Sequence, residues 1–201
     1  MATDLKNVMQ YQNENIVRRF METWDVPYHE ALDLFEETKK WIWLIDFNHS
    51  QPNKEDHVHM AVSQSIKLID EMWHTFVLFT VDYTTFCNDY FGHYIHHRPA
   101  PKAAYEQQLA SFNRDPEAHM QLQKQDAQKQ YTLIYNQLGE ETLVKWFKDY
   151  LERYTDERLQ RLWRWSFSPY DVRVESSLAI AELKSVPRQQ DNTVTEVLKT
   201  A

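Results

Sequence analysis

The stretch that decides the fold is His29-Glu30-Ala31-Leu32-Asp33-Leu34-Phe35-Glu36-Glu37-Thr38-Lys39-Lys40-Trp41-Ile42-Trp43-Leu44-Ile45-Asp46-Phe47. Ala31, Leu34, Phe35, Thr38, Ile42 and Ile45 return every three or four residues, the spacing that gathers side chains on one face of an α-helix, and Pro27 just ahead suits its opening. Trp41, Trp43 and Phe47 widen the apolar face. A face that broad must be covered from more than one side, so the helix is predicted to run through the centre of a bundle. The polar run Asn48-His49-Ser50-Gln51-Pro52-Asn53 then reads as a loop.

Composition points the same way. The 201 residues hold two glycines, Gly92 and Gly139, where average usage of about 7% would give roughly fourteen. Hairpin-rich sandwiches and barrels need glycine at turn after turn, whereas helices joined by polar, proline-marked connections do not. An all-α fold follows, a single helical bundle-like domain. A dinucleotide fingerprint needs three glycines in one turn and a P-loop two beside a lysine, so no nucleotide cofactor is expected. Hydrophobic residues make up 42% of the chain and aromatics 14%, ample for a real core.

With 22 basic and 30 acidic residues the formal net charge is −8. That balance disfavours nucleic acid and anionic membrane surfaces as partners. The lone Cys87 excludes an internal disulfide and a cysteine-rich zinc module, and it fits a reducing compartment. Met1-Ala2-Thr3-Asp4-Leu5-Lys6 lacks the pattern of a signal peptide, and no apolar run approaches the roughly 18 residues of a spanning helix. A cytoplasmic location is expected.

Outward from the central helix, Val62, Ile66, Ile69, Trp73 and Phe76 form a second periodic stripe. The period loses its regularity around Phe79-Thr80-Val81-Asp82, where Thr80 or Asp82 would serve as an N-cap. One helix is therefore expected to end near Leu78 and another, Tyr83 to Tyr90, to end at Gly92 in a left-handed cap. His93 to His97 follows until Pro99 and Pro101 stop it. Ala127, Tyr131, Ile134, Tyr135 and Leu138 form a stripe closed by Gly139, and Leu143, Trp146, Phe147, Tyr150 and Tyr154 form its antiparallel partner. Arg158, Arg161 and Arg164 read as a charged outer face. The domain is drawn at residues 1–166, with 167–201 as a peripheral segment or flexible tail.

Seven of the nine histidines lie between His49 and His97, together with Asp70, Glu71, Asp82 and Cys87. Imidazole and carboxylate bind zinc and non-haem iron and also serve as general acids and bases. Asp70 and His74 are four apart, which sets them about 40° from each other on one helical face, near enough to hold one ion or share a proton. The apolar neighbours Ile69, Met72, Trp73, Phe76, Val77, Leu78 and Phe79 would partly bury the pair, and buried polar groups need partners. That partner is a metal, or each other. His96 and His97 would be about 100° apart on a helix, so one of the two should face the site. His93 is read as a hydrogen-bonded or exposed residue, His57 and His59 as solvated. Cys87 would converge on the site only through a helix break near Thr80, and a small core residue is its simpler reading.

The string Ile69-Asp70-Glu71-Met72-Trp73-His74-Thr75-Phe76, then Asp82-Tyr83, Phe86-Cys87, Tyr90-Phe91-Gly92 and Ile95-His96-His97-Arg98-Pro99, resembles the central motif of the glycine-rich domain-containing protein-like family, a domain of unknown function. The resemblance covers about thirty residues closely, with looser extensions to Phe35–Leu44 and to Tyr131–Gly139. It implies that Asp70, Trp73, His74, Tyr83, Cys87, Gly92, His96, His97 and Pro99 matter, and it leaves out His93, His57 and His59. Plant relatives carry a second His where this chain has Phe76 and a Pro near Thr80. They also continue into a glycine-rich region, and this chain has none.

Two readings follow. In the first, Asp70, His74 and one of His96 or His97 form a divalent-metal site, zinc or iron, with Tyr83 or Cys87 as a nearby donor, supporting hydrolysis or iron-dependent oxidation of an unknown small molecule or protein. In the second, the same residues are a buried hydrogen-bond network in a non-enzymatic helical adaptor. Seven Trp and eleven Tyr make self-association an expectation.

Overall fold

The computed structural model describes residues 3–164, so the tail drawn at 167–201 lies outside the described residues. Short polar side chains start the first helices. Asp4 accepts from the Lys6 amide ahead of α1 (Leu5–Val8), and Asn13 accepts from the Asn15 amide ahead of α2 (Glu14–Thr23). The central helix α3 runs Tyr28–His49 behind Pro27, taking in the first two residues of the expected loop. Ala31, Leu34, Phe35, Trp41, Ile42 and Leu44 are buried along it, and even Lys39 is fully enclosed, its Nζ donating to the Met9 and Tyr11 carbonyls at 3.0 and 2.7 Å. α1, α2 and the helices that follow pack around α3. All described residues that fold regularly are helical, so the chain is all-α.

The second stripe becomes α4 (Lys67–Leu78), entered through a 3-10 turn, Gln64–Ile66. Val62, expected on that stripe, lies before the turn and is exposed. α5 is Thr80–Phe91, and the break falls between them as expected. Neither Thr80 nor Asp82 caps it. Phe79 occupies that position with no side-chain bond, and the α5 amide of Tyr83 bonds to its carbonyl at 2.8 Å. α5 ends at Gly92, φ +73°, a left-handed residue.

After Gly92 the chain is not helical through Pro101. Pro99 disfavours the helical region for Arg98, and exposure alternates along this strap, with Ile95 buried, His96 exposed, His97 half-buried and Arg98 exposed. Then come α6 (Lys102–Arg114) and α7 (Pro116–Leu138), α7 capped by Asp115 through the Ala118 amide and led by Pro116. Gly139 (φ +84°) turns the chain into α8 (Glu140–Val144), a π-helical turn at Lys145–Asp149, and α9 (Tyr150–Arg153). Tyr131 and Phe147, each eight residues from Gly139, meet with ring centroids 4.4 Å apart, as an antiparallel pair requires. Tyr135, expected on the buried stripe of α7, is exposed.

The last described helix, α10 (Asp156–Leu162), is tied back to α2 where the Arg164 amide donates to the Thr23 carbonyl and the Asp25 amide to that of Leu162. Of the arginine stripe, Arg161 is exposed as expected, but Arg158 and Arg164 do not lie on an outer face. Arg158 is buried with Nη2 4.0 Å from Glu30 Oε1, and Arg164 pairs with Asp25. α3 supplies the reason: its carboxylates Glu30, Asp33 and Glu37 face the C-terminal helices. Lys145 and Tyr150 bond Asp33 at 2.5 and 2.7 Å, and Lys145 and Trp146 bond Glu37 at 2.7 and 2.8 Å.

Candidate metal centre

α4 presents Asp70 and His74 one turn apart, and the strap after Gly92 brings His97 against them. His97 Nε2 lies 3.5 Å from Asp70 Oδ1, and His74 Nε2 lies 3.9 Å from Asp70 Oδ2. One ligand atom from each of the three fits within 4.8 Å of the others. Asp70 is 8% exposed, and its Oδ1 is buried without a hydrogen-bond partner. A lone pair left unmatched in that way costs on the order of 1–3 kcal/mol.

Ligands held about 2.1 Å from a tetrahedral zinc stand about 3.4 Å apart. The Asp70–His97 spacing is close to that value, the Asp70–His74 spacing is measured to the other carboxylate oxygen, and a set lying within 4.8 Å for one atom from each residue would draw together around an ion. The other ring nitrogen of His74, Nδ1, is 3.4 Å from Glu71 Oε2, the carboxylate-behind-histidine arrangement that orients metal-bound imidazoles. Lys67 sits beyond, 2.9 Å from Glu71 and 3.8 Å from Asp70.

Burial lowers the His97 pKa against the opposing pull of Asp70, which favours the neutral imidazole that ligation requires. Its ring stacks on Trp73 at 4.1 Å. Trp73 Nε1 donates to the Tyr83 hydroxyl at 2.9 Å, and that hydroxyl donates to the Ile95 carbonyl at 2.7 Å. Three elements are thus locked by one phenol, whose pKa burial drives far up. Cys87 lies buried beside Tyr83 and the Ile95 backbone, and burial raises its pKa, so it stays a thiol. Tyr83 or Cys87 was expected as a nearby donor, with a small core residue the simpler reading of Cys87. Tyr83 instead spends its hydroxyl on Trp73 and Ile95, and Cys87 is a core residue under the strap.

His96, the alternative to His97, does not join the cluster. It is exposed, its ring 4.9 Å from that of Tyr94. His93 is exposed but bonded, Nδ1 to the Phe91 carbonyl at 3.0 Å and Nε2 to Asp46 Oδ1 at 3.1 Å, clipping the start of the strap to α3. His57 bonds the Gln51 carbonyl at 3.1 Å and His59 is exposed.

The cluster forms part of the wall of an open chamber of about 1090 Å³, whose other walls are the 59–63 segment, the strap and the α6–α7 hairpin. A smaller chamber of about 590 Å³ lies across the strap, lined by Asp46, His49, His93 and His96. The sequence reading gave Glu71 and Arg98 no role at the cluster, and it missed Lys67 and, of the α6–α7 wall, α6 and the N-terminal half of α7. Asp115-Pro116, a capping residue followed by a proline suited to a first turn, was the signal for that wall.

No helix among the described residues is long and apolar enough to cross a membrane. No curated protein and no solved structure matches the chain. A family model described as UCP032817-like matches residues 46–115, a segment that holds Asp70, His74, Gly92 and His97 together; its description names no activity and does not carry the glycine-rich name.

Proposed function

We propose that the chain is a divalent-metal protein, zinc or iron, with Asp70, His74 and His97 as ligands and the chamber as the site of a small molecule on which the metal acts. The observation that carries this reading is the orphaned, buried Asp70 Oδ1 beside two imidazoles, with one ligand atom from each of the three residues within 4.8 Å of the others. Two histidines and one carboxylate leave coordination positions open, the arrangement of metal sites that bind water or substrate. A bound ion of this kind lowers the pKa of water or polarises an oxygen, which suits hydrolysis, and iron in the same set suits oxidation. Glu71 holds the His74 ring, and Trp73 with Tyr83 holds His97.

The rival reading, a polar network without metal in an interaction protein, draws on Lys67, whose ammonium offers the carboxylates some of the positive charge an ion would supply. Element analysis of tag-free protein and zinc titration by calorimetry separate the two. One equivalent of metal is expected, with at least a tenfold loss of affinity in folded Asp70→Ala, His74→Ala and His97→Ala variants and none in His96→Ala. Absence of stoichiometric binding, or His97→Ala binding like the parent, would overturn the metal reading and leave the network.

A further inference from the structure

The chamber walls carry information about what enters. On α6, Ala104, Gln107, Gln108 and Ser111 face the chamber at helical spacing, and on α7 so do His119, Gln123 and Asp126. The apolar residues of α6, Tyr105, Leu109 and Phe112, lie about 110° around the axis and are exposed. Were the hairpin held by apolar collapse onto the body, that stripe would face inward. The hairpin instead turns amides and a hydroxyl across the chamber from the Asp70 cluster, a wall that hydrogen-bonds a polar ligand.

Charge selects within that class. Lys67 and Glu71 pair with each other at 2.9 Å and cancel. Asp126 is 3.9 Å from Lys129. Asp70 neutralises half of a divalent ion, while neutral imidazoles contribute nothing. Arg98, next to His97 and lining the same chamber, has no carboxylate within ion-pair distance among the described residues. Arg98 is the one lysine or arginine that lines the chamber, against Asp70 at the cluster and Asp126 on the α7 wall, so with a divalent ion on Asp70 positive charge would be in surplus at the cluster end.

We infer that the chamber takes a small polar anion bearing a carboxylate, its charge received by Arg98 and its neutral polar groups by the Gln107, Gln108 and Gln123 amides. This deepens the metal reading, on which it rests for the position of the reacting end, but the Arg98 contact needs no metal. Guanidinium suits the role because its planar fork matches a carboxylate in two parallel hydrogen bonds.

The test uses succinate and its neutral counterpart succinamide, titrated by ligand-observed NMR into the full chain, both after EDTA treatment and after zinc loading. Succinate is expected to bind in both forms, more tightly with zinc, and succinamide at least tenfold more weakly. Arg98→Gln is expected to cost succinate tenfold or more while the zinc affinity moves less than twofold. A Gln107→Ala/Gln108→Ala pair should weaken both probes about equally. Succinamide binding as well as succinate, no succinate binding, or Arg98→Gln leaving succinate unaffected would overturn the inference. Loss of zinc binding with Arg98-dependent succinate binding retained would sink the metal reading alone.

Discussion

Replacing Tyr83 with Phe removes one oxygen atom and leaves the ring to pack against Phe76 and Phe86 as before. That oxygen accepts from Trp73 Nε1 and donates to the Ile95 carbonyl, at 2.9 and 2.7 Å, in a place where no side chain of the trio is more than slightly exposed. The variant strands a donor on α4 and an acceptor on the strap. A buried group left without its partner costs about 1–3 kcal/mol, so Tyr83→Phe is expected to lower stability by about 2–4 kcal/mol. That is a large part of the roughly 5–15 kcal/mol a domain commands. Urea unfolding followed by tryptophan fluorescence measures it, with the slope checked for constancy so that the midpoint can be read as free energy. Because Ile95 is two residues from His97, the same substitution should free the strap and weaken zinc binding about tenfold or more. Tyr94→Phe is the control: Tyr94 touches Tyr83 edge-on from the same strap, and its own loss of a hydroxyl should stay within about 0.5 kcal/mol. If Tyr83→Phe also falls within that margin, the phenol does not hold the strap, and the account of how His97 reaches Asp70 is wrong.

Other substitutions probe other parts of the same construction. Gly92→Val should cost about 1–2 kcal/mol from backbone strain alone, since a Cβ there meets nothing within 4 Å while φ is +73°; thermal unfolding and zinc titration should both report the change, and an unchanged zinc affinity in folded protein would detach the turn from the site. Asp115→Ala removes the cap from α7 and should cost about 1 kcal/mol, read as faster amide exchange over residues 117–119 with the exchange of α3 unaltered. Asp46 is a pH probe away from the cluster. Burial raises its pKa against the pull of His93, so its contribution favours the fold below the ordinary carboxyl range and is lost as pH rises through the raised value. Asp46→Asn is therefore expected to gain stability over the parent at pH 7.5 and to lose that advantage at pH 3.5; a difference that does not vary with pH would show that burial is not what sets this carboxyl.

Legibility in the sequence followed the range of the forces involved. The course of α3 was readable because an apolar face imposes its period locally, and Asp70 with His74 was readable because four residues on a helix fix a spacing without reference to anything else. Gly92 was readable as a stop for the same local reason. Arg158 was misread because its charge is answered by Glu30, 128 positions earlier in the chain, and nothing in a local window announces a partner at that range. Lys39 escaped notice likewise, since what buries it is the end of α1 folding over α3. α6 and the first half of α7 went unread because their chamber-facing side is largely amides and small residues, so the apolar period that marks a packed helix is weak there.

The choice between His96 and His97 shows where such local reasoning stops. On a helix the two would diverge by about 100°, and either could have been turned inward by rotating the whole helix. The chain is not helical there, with Ile95 buried, His96 exposed and His97 half-buried, and the register is set by Ile95, whose carbonyl is held by Tyr83 from α5. Shift the strap by one residue and His96 would take the place of His97 beside Asp70, with His97 moved to the place of Arg98. What excludes that register is the stack of His97 on Trp73 together with the His93 clip to Asp46, contacts that reach from α4 and α3 respectively. The identity of the third ligand is thus decided by a hydroxyl, an indole face and a carboxylate on three different helices, and it follows that cutting the clip with His93→Ala in a Tyr83→Phe background should loosen the register further than either change alone, measured as a more than additive loss of zinc affinity; additive losses would mean that the two contacts act on the strap independently.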